Sequence, residues 1–291
     1  MRLPKFEYFE PKTLEAALNL LTQNGKDAHL LAGGTDVLVK MRNGRLKPEA
    51  VIGLQGIEDL NGIHFDSGKG LTIGATAKLA EVASHPDILK HYPALAQAAQ
   101  VMANVQVRNM GTIAGNLCNA APSAENAPPL MAMGAEVAVA NLQGDRRIAL
   151  DQFFRGPGLT AMEHGEIMTS IFVPFPVPKS GASYKRVSAR CGVDIAAVCV
   201  SAWVALDGEV CKDSRIVLGA VAPTPMRAVG AESFMREQTW TQELIETAAA
   251  QAVQESKPIS DVRASADYRK KMVAVLTLRA LEQAYERAIK N

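Results

Sequence analysis

The sequence predicts an α+β protein in two parts, and three observations carry that expectation. Up to about residue 176, short apolar runs of strand length alternate with amphipathic helical stretches and hairpin signals. Pro174, Pro176 and Pro178 then stand close together, a pattern that forbids a helix and cannot sit in a central strand. Beyond them, strand-like runs precede a wholly helical remainder. A chain of 291 residues agrees with about two domains.

The elements follow in order. Phe6 to Phe9 reads as a short strand. Leu14, Ala17, Leu18 and Leu21 have the spacing of a surface helix over residues 13–24, with Gly25 just past its end. Residues 28–32 form an apolar strand that Gly33 and Gly34 break, 36–42 a helix stopped at Gly44, and 50–54 a buried strand. This small α/β unit ends near residue 55. A second unit opens with a hairpin, 63–65 and 71–73 around Gly68. Helices follow at 77–83 and 93–103, the latter with Pro93 in its first turn. After a polar loop come a helix at 127–134, a hairpin of 136–140 with 146–150, and a strand at 166–173. Past the prolines, strands at 183–190, 196–206 and 213–220 are expected, the last two joined at Asp207-Gly208. Helices at 228–236, 241–256 and 264–289 complete the chain. The apolar stripe of the last, through Met272, Val275, Leu276, Leu278 and Leu281, reads as core or subunit contact.

Composition excludes several classes. A net charge of +1 with both signs interspersed argues against a nucleic-acid surface or a polybasic membrane anchor. No apolar run approaches the ~20 residues that span a bilayer, and the N-terminus lacks the apolar stretch of a signal peptide. A cytoplasmic, soluble protein is the expectation. Cys118, Cys191, Cys199 and Cys211 form no CxxC and no zinc-finger spacing, so no metal site is expected in this chain. The five histidines are scattered and read as structural or solvated, though His29 begins the strand that leads into the first glycine loop.

Two loops carry the chemistry. The first is Ala32-Gly33-Gly34-Thr35-Asp36, and the second is Gly111-Thr112-Ile113-Ala114-Gly115-Asn116, continued by Asn119 to Glu125. A diphosphate needs inward-facing amide donors from a tight turn, and glycine allows that close approach. The first loop precedes a helix whose N-terminus adds partial positive charge. Neither loop is the G-x-G-x-x-G fingerprint, and no Gly-Lys-Ser/Thr follows to make a phosphate-binding P-loop. A cofactor held by two separate loops fits a site split between two subdomains. Asn109 to Glu125 reads as one loop without secondary structure, a length that is usually functional.

These stretches resemble the FAD-binding (medium) subunits of the molybdenum hydroxylases, a family that includes bacterial xanthine dehydrogenases and carbon monoxide dehydrogenase-type enzymes. Leu30-Leu31-Ala32-Gly33-Gly34-Thr35-Asp36 is similar to the family's first FAD loop, and Arg108 to Asn116 to its second. Asn119-Ala120-Ala121-Pro122-Ser123-Ala124-Glu125 resembles the segment whose terminal acid binds the ribityl–adenosine side of FAD. Gly165-Glu166-Ile167-Met168 resembles the strand against the flavin. Tyr184-Lys185-Arg186 is similar to a step whose lysine reaches the flavin region, and Cys191 to Ala196 to the loop beside the isoalloxazine. The resemblance covers essentially the whole chain. It implies a two-subdomain FAD-binding PCMH fold of the vanillyl-alcohol-oxidase type over residues 1–176, divided near 55. A C-terminal α+β domain over 180–291, with a three-stranded antiparallel sheet and helices, would follow.

The resemblance further implies FAD as the cofactor and two partners, a [2Fe–2S] iron–sulfur subunit and a molybdenum-cofactor subunit, with NAD+ or another molecule as electron acceptor. The implied cofactor-binding residues are His29, Leu30, Leu31, Ala32, Gly33, Gly34, Thr35, Asp36, Gly111, Thr112, Ala114, Gly115, Asn116, Asn119, Ala121, Ser123, Glu125, Met168 and Lys185. Arg108 is open between a phosphate contact and a structural ion pair, and Asp194 between a nicotinamide contact and a helix N-cap. Ala114 stands where the family usually has glycine, which would strain the loop if that position needed positive φ. Glu125 stands where aspartate is common. Gly34→Val is expected to block FAD uptake by filling the pyrophosphate space. The alternatives are a stand-alone flavin oxidoreductase of the same fold and a non-catalytic nucleotide-binding protein. No paired acid–base constellation favours the former.

Overall fold

A computed structural model describes residues 3–190 and 193–291. The N-terminal part contains β1 (Glu7–Phe9), α1 (Leu14–Asn24), β2 (Ala28–Leu31), α2 (Val37–Arg42) and β3 (Ala50–Gly53). Its three strands pair in parallel in the order β1-β3-β2. Thr13 caps α1, its hydroxyl accepting the Ala16 amide at 3.2 Å, and Gly25 at φ +56° ends it. The amphipathic spacing of α1 buries Ala17, Leu18 and Leu21 with Ile52 and Leu54. β3 is buried at every position, as a central parallel strand should be.

The second layer runs through β4 (Ile63–Asp66), β5 (Gly70–Gly74), α3 (Leu79–Ser84), α4 (Pro86–His91), α5 (Pro93–Val101), α6 (Val105–Arg108), α7 (Ile113–Asn119) and α8 (Ala127–Ala132). It continues with β6 (Glu136–Asn141), β7 (Gly144–Ala149), β8 (Phe154–Gly156), β9 (Leu159–Thr160) and β10 (Ile167–Pro174). A five-stranded antiparallel sheet forms in the order β4-β5-β10-β6-β7, with β10 at its centre. Leu71, Ile73, Val137, Val139, Ile171 and Val173 pack beneath the helices with Leu95, Ile113 and Leu130. Ile167, at the start of β10, instead joins the core of the N-terminal part and so links the two layers.

Two expectations are corrected here. Residues 109–125 are not a structureless loop, because α7 runs through them. Its N-cap is Thr112, whose hydroxyl accepts the Gly115 amide at 2.9 Å, and Ala120 in the left-handed region ends it. The helix α4 was not expected; Pro86 starts it in the first-turn position.

Pro174 ends β10, and its carbonyl accepts the buried Tyr92 hydroxyl at 3.2 Å. The chain then forms β11 (Ser180–Val187), β12 (Val198–Asp207), β13 (Val210–Gly219), β14 (Met226–Arg227), α9 (Val229–Met235), β15 (Gln238–Thr239), α10 (Gln242–Glu255) and α11 (Ala266–Ala288). The expected three-stranded antiparallel sheet is β11-β12-β13, extended by the two-residue β14 and β15. β11 lies three residues earlier than expected, because pairing of Ser180 with Ala205 sets its register and leaves Arg190 in a loop. α11 and α10 cover one face of this sheet, burying Val273, Leu276, Ala280, Leu281 and Ala284. α5 and α8 approach the other face, where Tyr184, Cys199, Ala94 and Ala98 share a core.

Candidate functional site

A cavity of about 920 Å³ lies where these layers meet. Its size is at the upper end of the ~300–1,000 Å³ of small-molecule and cofactor sites. Most of its wall comes from residues 28–40, 102–125, 158–168 and 193–195, with Arg190.

The first glycine loop turns the chain from β2 into α2. A Cβ on Gly33 would land on the Met110 carbonyl oxygen and 2.7 Å from Gly111 Cα, so this backbone rests directly on the second loop. Reciprocally, a Cβ on Gly111 would sit 3.3 Å from the Thr35 hydroxyl. Gly34 has φ +73°, and its Cβ would meet Leu31 and Leu38 at 3.3 and 3.4 Å. Gly34→Val would therefore act through the backbone conformation and this apolar contact, which corrects the expectation that it fills the pyrophosphate space. Among the described residues, no carbonyl or side chain accepts the amides of Gly33, Gly34, Thr35 or Asp36.

The second loop is the start of α7. Ala114 is buried in right-handed helical backbone, so the methyl group that departs from the family pattern causes no strain. Asn116 accepts the buried Asn126 amide group at 3.3 Å, and Asn119 accepts the Lys40 ammonium at 2.6 Å. That second bond ties α2 to α7 across the cavity. Cys118 is exposed and opens onto the cavity.

Glu125 ends this stretch with 4% of its surface exposed. Burial raises its pKa to about 7, against the opposing pull of Arg186, whose Nη1 lies 2.7 Å from Oε1. Arg186 also donates to the carbonyls of Val101 at 3.0 Å and Asp194 at 2.9 Å. This one guanidinium joins the C-terminal sheet, the end of α5 and two cavity walls. Glu166, on the third wall, receives two bonds from Arg146 at 2.6 and 2.9 Å and one from the Glu163 amide at 2.7 Å. Burial opposes its ionisation, but those donors outweigh burial and hold the carboxyl below its usual value. Burial, then Lys40, lowers the pKa of His29; burial raises that of Asp36 despite Lys40.

Seventeen of the expected residues reach this cavity: His29, Leu30, Ala32, Gly33, Gly34, Thr35, Asp36, Gly111, Thr112, Ala114, Gly115, Asn116, Asn119, Ala121, Ser123, Glu125 and Met168. Two do not. Leu31 alternates with Leu30 along β2 and is turned away from the wall. Lys185 is corrected by the same parity: Tyr184 and Arg186 face α5 and the cavity side, while Lys185 faces Arg287, Arg279, Glu286 and Glu282 of α11. Its pKa is lowered, by burial first and then by those two arginines. Lys185→Ala is expected to leave FAD content unchanged, since the side chain faces α11 and not the cavity. Flavin released on denaturation, counted per chain, checks this.

Arg108 forms no ion pair among the described residues and does not line the cavity; it donates to the carbonyls of Met102 and Ala103 at 2.9 and 3.0 Å. Asp194 caps no helix. It lines the cavity and accepts the amides of Arg190 and Ile195 at 3.0 and 2.9 Å. Cys191 and Gly192 of the expected flavin loop lie outside the described residues. Sequence reading passed over Lys40, Cys118 and Arg186. Strand parity with Tyr184 was the available signal for Arg186, and helical spacing from Asp36 was the signal for Lys40.

Comparison with known proteins settles the family. A family described as the FAD binding domain in molybdopterin dehydrogenase matches residues 4–176. The CO dehydrogenase flavoprotein C-terminal domain matches residues 182–284. The chain belongs to the FAD-binding subunits of the molybdenum hydroxylases. It is 34% identical to the carbon monoxide dehydrogenase medium chain of Hydrogenophaga pseudoflava, over 98% of both chains. A putative xanthine dehydrogenase FAD-binding subunit of Escherichia coli K12 is 31% identical over 95% of both. In three dimensions the chain matches a structure of the Hydrogenophaga carbon monoxide dehydrogenase lacking the Mo-pyranopterin moiety, with a TM-score of 0.95 over 99% of both chains.

The cavity of this FAD-binding subunit fits its cofactor. A run of amides without protein acceptors, beside a backbone contact between two glycine loops, suits a diphosphate. The buried carboxyl of Glu125 and the hydroxyls of Thr35, Thr112 and Ser123 suit the polar ribityl and ribose groups. Among the described residues no helix is long and apolar enough to cross a membrane, and no cluster of His, Cys, Asp or Glu could hold a metal ion.

Proposed function

We propose that this subunit carries electrons within a heteromeric molybdenum hydroxylase. The observation that carries the reading is the backbone contact of Gly33 with Met110 and Gly111, which makes one cradle of two loops. Bound FAD would supply the redox chemistry between the [2Fe–2S] clusters of a partner subunit and NAD+ or another acceptor. The chain's own residues place and tune it. Gly33 to Asp36 would hold the diphosphate through their amides, with Thr112 to Gly115 as the facing wall. Glu125 would hold the ribityl–adenosine side, and Gly165 to Met168 would line the flavin end. Lys40 and Asn119 close the cradle between α2 and α7. Residues 1–176 form the FAD-binding domain, and residues 180–291 the C-terminal domain that braces it through Arg186.

Neighbouring partners follow from the family: an iron–sulfur subunit and a molybdenum-cofactor subunit. Purified gently from its host, the chain is expected to co-elute with both in one particle, at one FAD per copy. A solitary, fully active flavoprotein would instead establish the stand-alone oxidoreductase reading. A colourless protein that takes up no added FAD would overturn both.

A further inference from the structure

A second cavity, about 520 Å³, lies on the other side of the C-terminal sheet's junction with the FAD-binding layers. The proline segment 174–178, the end of α4, residues 133–134 and the end of α11 surround it. Its lysine and arginine side chains have no acidic side chain among them. Lys90, Arg215, Arg287 and Lys290 face it, and no aspartate or glutamate does.

The two arginines are half-buried, yet neither has a carboxylate within salt-bridge distance among the described residues. Arg215 Nη1 donates to the Ala132 carbonyl at 3.2 Å, and its guanidinium lies 4.8 Å over the Trp203 ring. Arg287 Nη1 donates to the Ala182 carbonyl and to Gln97. The Nε and Nη2 groups of both arginines take no protein acceptor among the described residues. Burial works against the charged form of each, with only more distant carboxylates opposing it. Gly134 is fitted to this arrangement, since a Cβ there would fall 2.6 Å from Arg215 Nη1.

Partly desolvated cations with open donor forks are costly unless an anion completes them. A guanidinium's planar fork matches the oxygens of phosphate and carboxylate, and phosphate carries the larger charge against four cations. We propose that this second cavity binds a small phosphate-bearing anion through Arg215 and Arg287, with Lys90 and Lys290 adding charge and Trp203 and Phe175 apolar walls. The site is separate from the FAD cavity and shares no lining residue with it. A phosphate ester and free phosphate offer the same group, and the two are distinguished by the walls: only the ester buries an organic part against Trp203 and Phe175.

The test is isothermal titration of the FAD-loaded full chain, whose diphosphate cradle is already filled. Phenyl phosphate and inorganic phosphate are added separately at fixed ionic strength. Saturable binding of one per chain is expected for at least one of them. Tighter binding of phenyl phosphate assigns an organic phosphate, and equal binding assigns the free ion. Arg215→Gln is expected to weaken binding about tenfold or more, the effect of losing a charge-assisted hydrogen bond. Lys90→Gln combined with Lys290→Gln touches only exposed side chains and is expected to weaken it several-fold without changing FAD content. Absence of saturable binding, or binding that all these variants retain at full strength, would overturn the proposal.

Discussion

Gly33→Ala is expected to yield a folded chain that has lost FAD. The added methyl has no place to go: it meets the Met110 carbonyl oxygen and lies 2.7 Å from Gly111 Cα, both backbone atoms. Backbone cannot rotate aside as a flexible side chain can, so the two loops must separate. Overpacking of this kind costs about 1–3 kcal/mol, and three would weaken cofactor binding roughly a hundredfold. Gly34→Ala is the informative comparison. Its methyl meets only the Leu31 and Leu38 side chains, and the penalty is that of a non-glycine residue at φ +73°, about 1 kcal/mol. Flavin per chain, measured with the far-ultraviolet circular dichroism of each variant, ranks them. Stoichiometric FAD in Gly33→Ala, with the same fold, would sink the two-loop cradle.

The second large effect concerns the buried pair of Glu125 and Arg186. Burial raises Glu125 from 4.5 to about 7, with Arg186 opposing. A carboxyl whose folded pKa is raised favours the protonated native state. Its contribution to stability is therefore full below 4.5 and is lost as pH rises through about 7. The span corresponds to roughly 3 kcal/mol in the FAD-free chain. Glu125→Gln keeps the shape without the titration, so denaturant midpoints of that variant should lose this slope between pH 4.5 and 7. Arg186→Met removes the counter-charge and the bonds to Val101 and Asp194. Its cost is expected to be about 3 kcal/mol near neutral pH and to grow in alkali, where Glu125 must ionise alone. An unchanged pH slope in Glu125→Gln would remove Glu125 from this account.

Most of the secondary structure was legible because its signals are local. The spacing of Leu14, Ala17, Leu18 and Leu21 and the turn at Asp207-Gly208 each act within a few residues. α7 was not legible. Gly115, Asn116 and Asn119 are poor helix formers, and they are helical because Thr112 caps the first turn and Ile113 and Leu117 are buried in the core. The cavity residues were legible as motifs, but the direction of a side chain was not. On β11 a one-residue step exchanges one face for the other, which is why Lys185 was expected where Arg186 stands. Partners such as Lys40 with Asn119 are distant in sequence, and only the folded chain brings them to 2.6 Å.

The walls of the larger of the two cavities come from residues as far apart as Leu21 and Arg263. Such non-local contacts cost loop-closure entropy before any of them is rewarded. The cavity is complete only with β11 in place, where Arg186 meets Glu125. Retention of FAD therefore reports on the integrity of the whole polypeptide, and a defect far out on the C-terminal sheet would show first as a colourless protein.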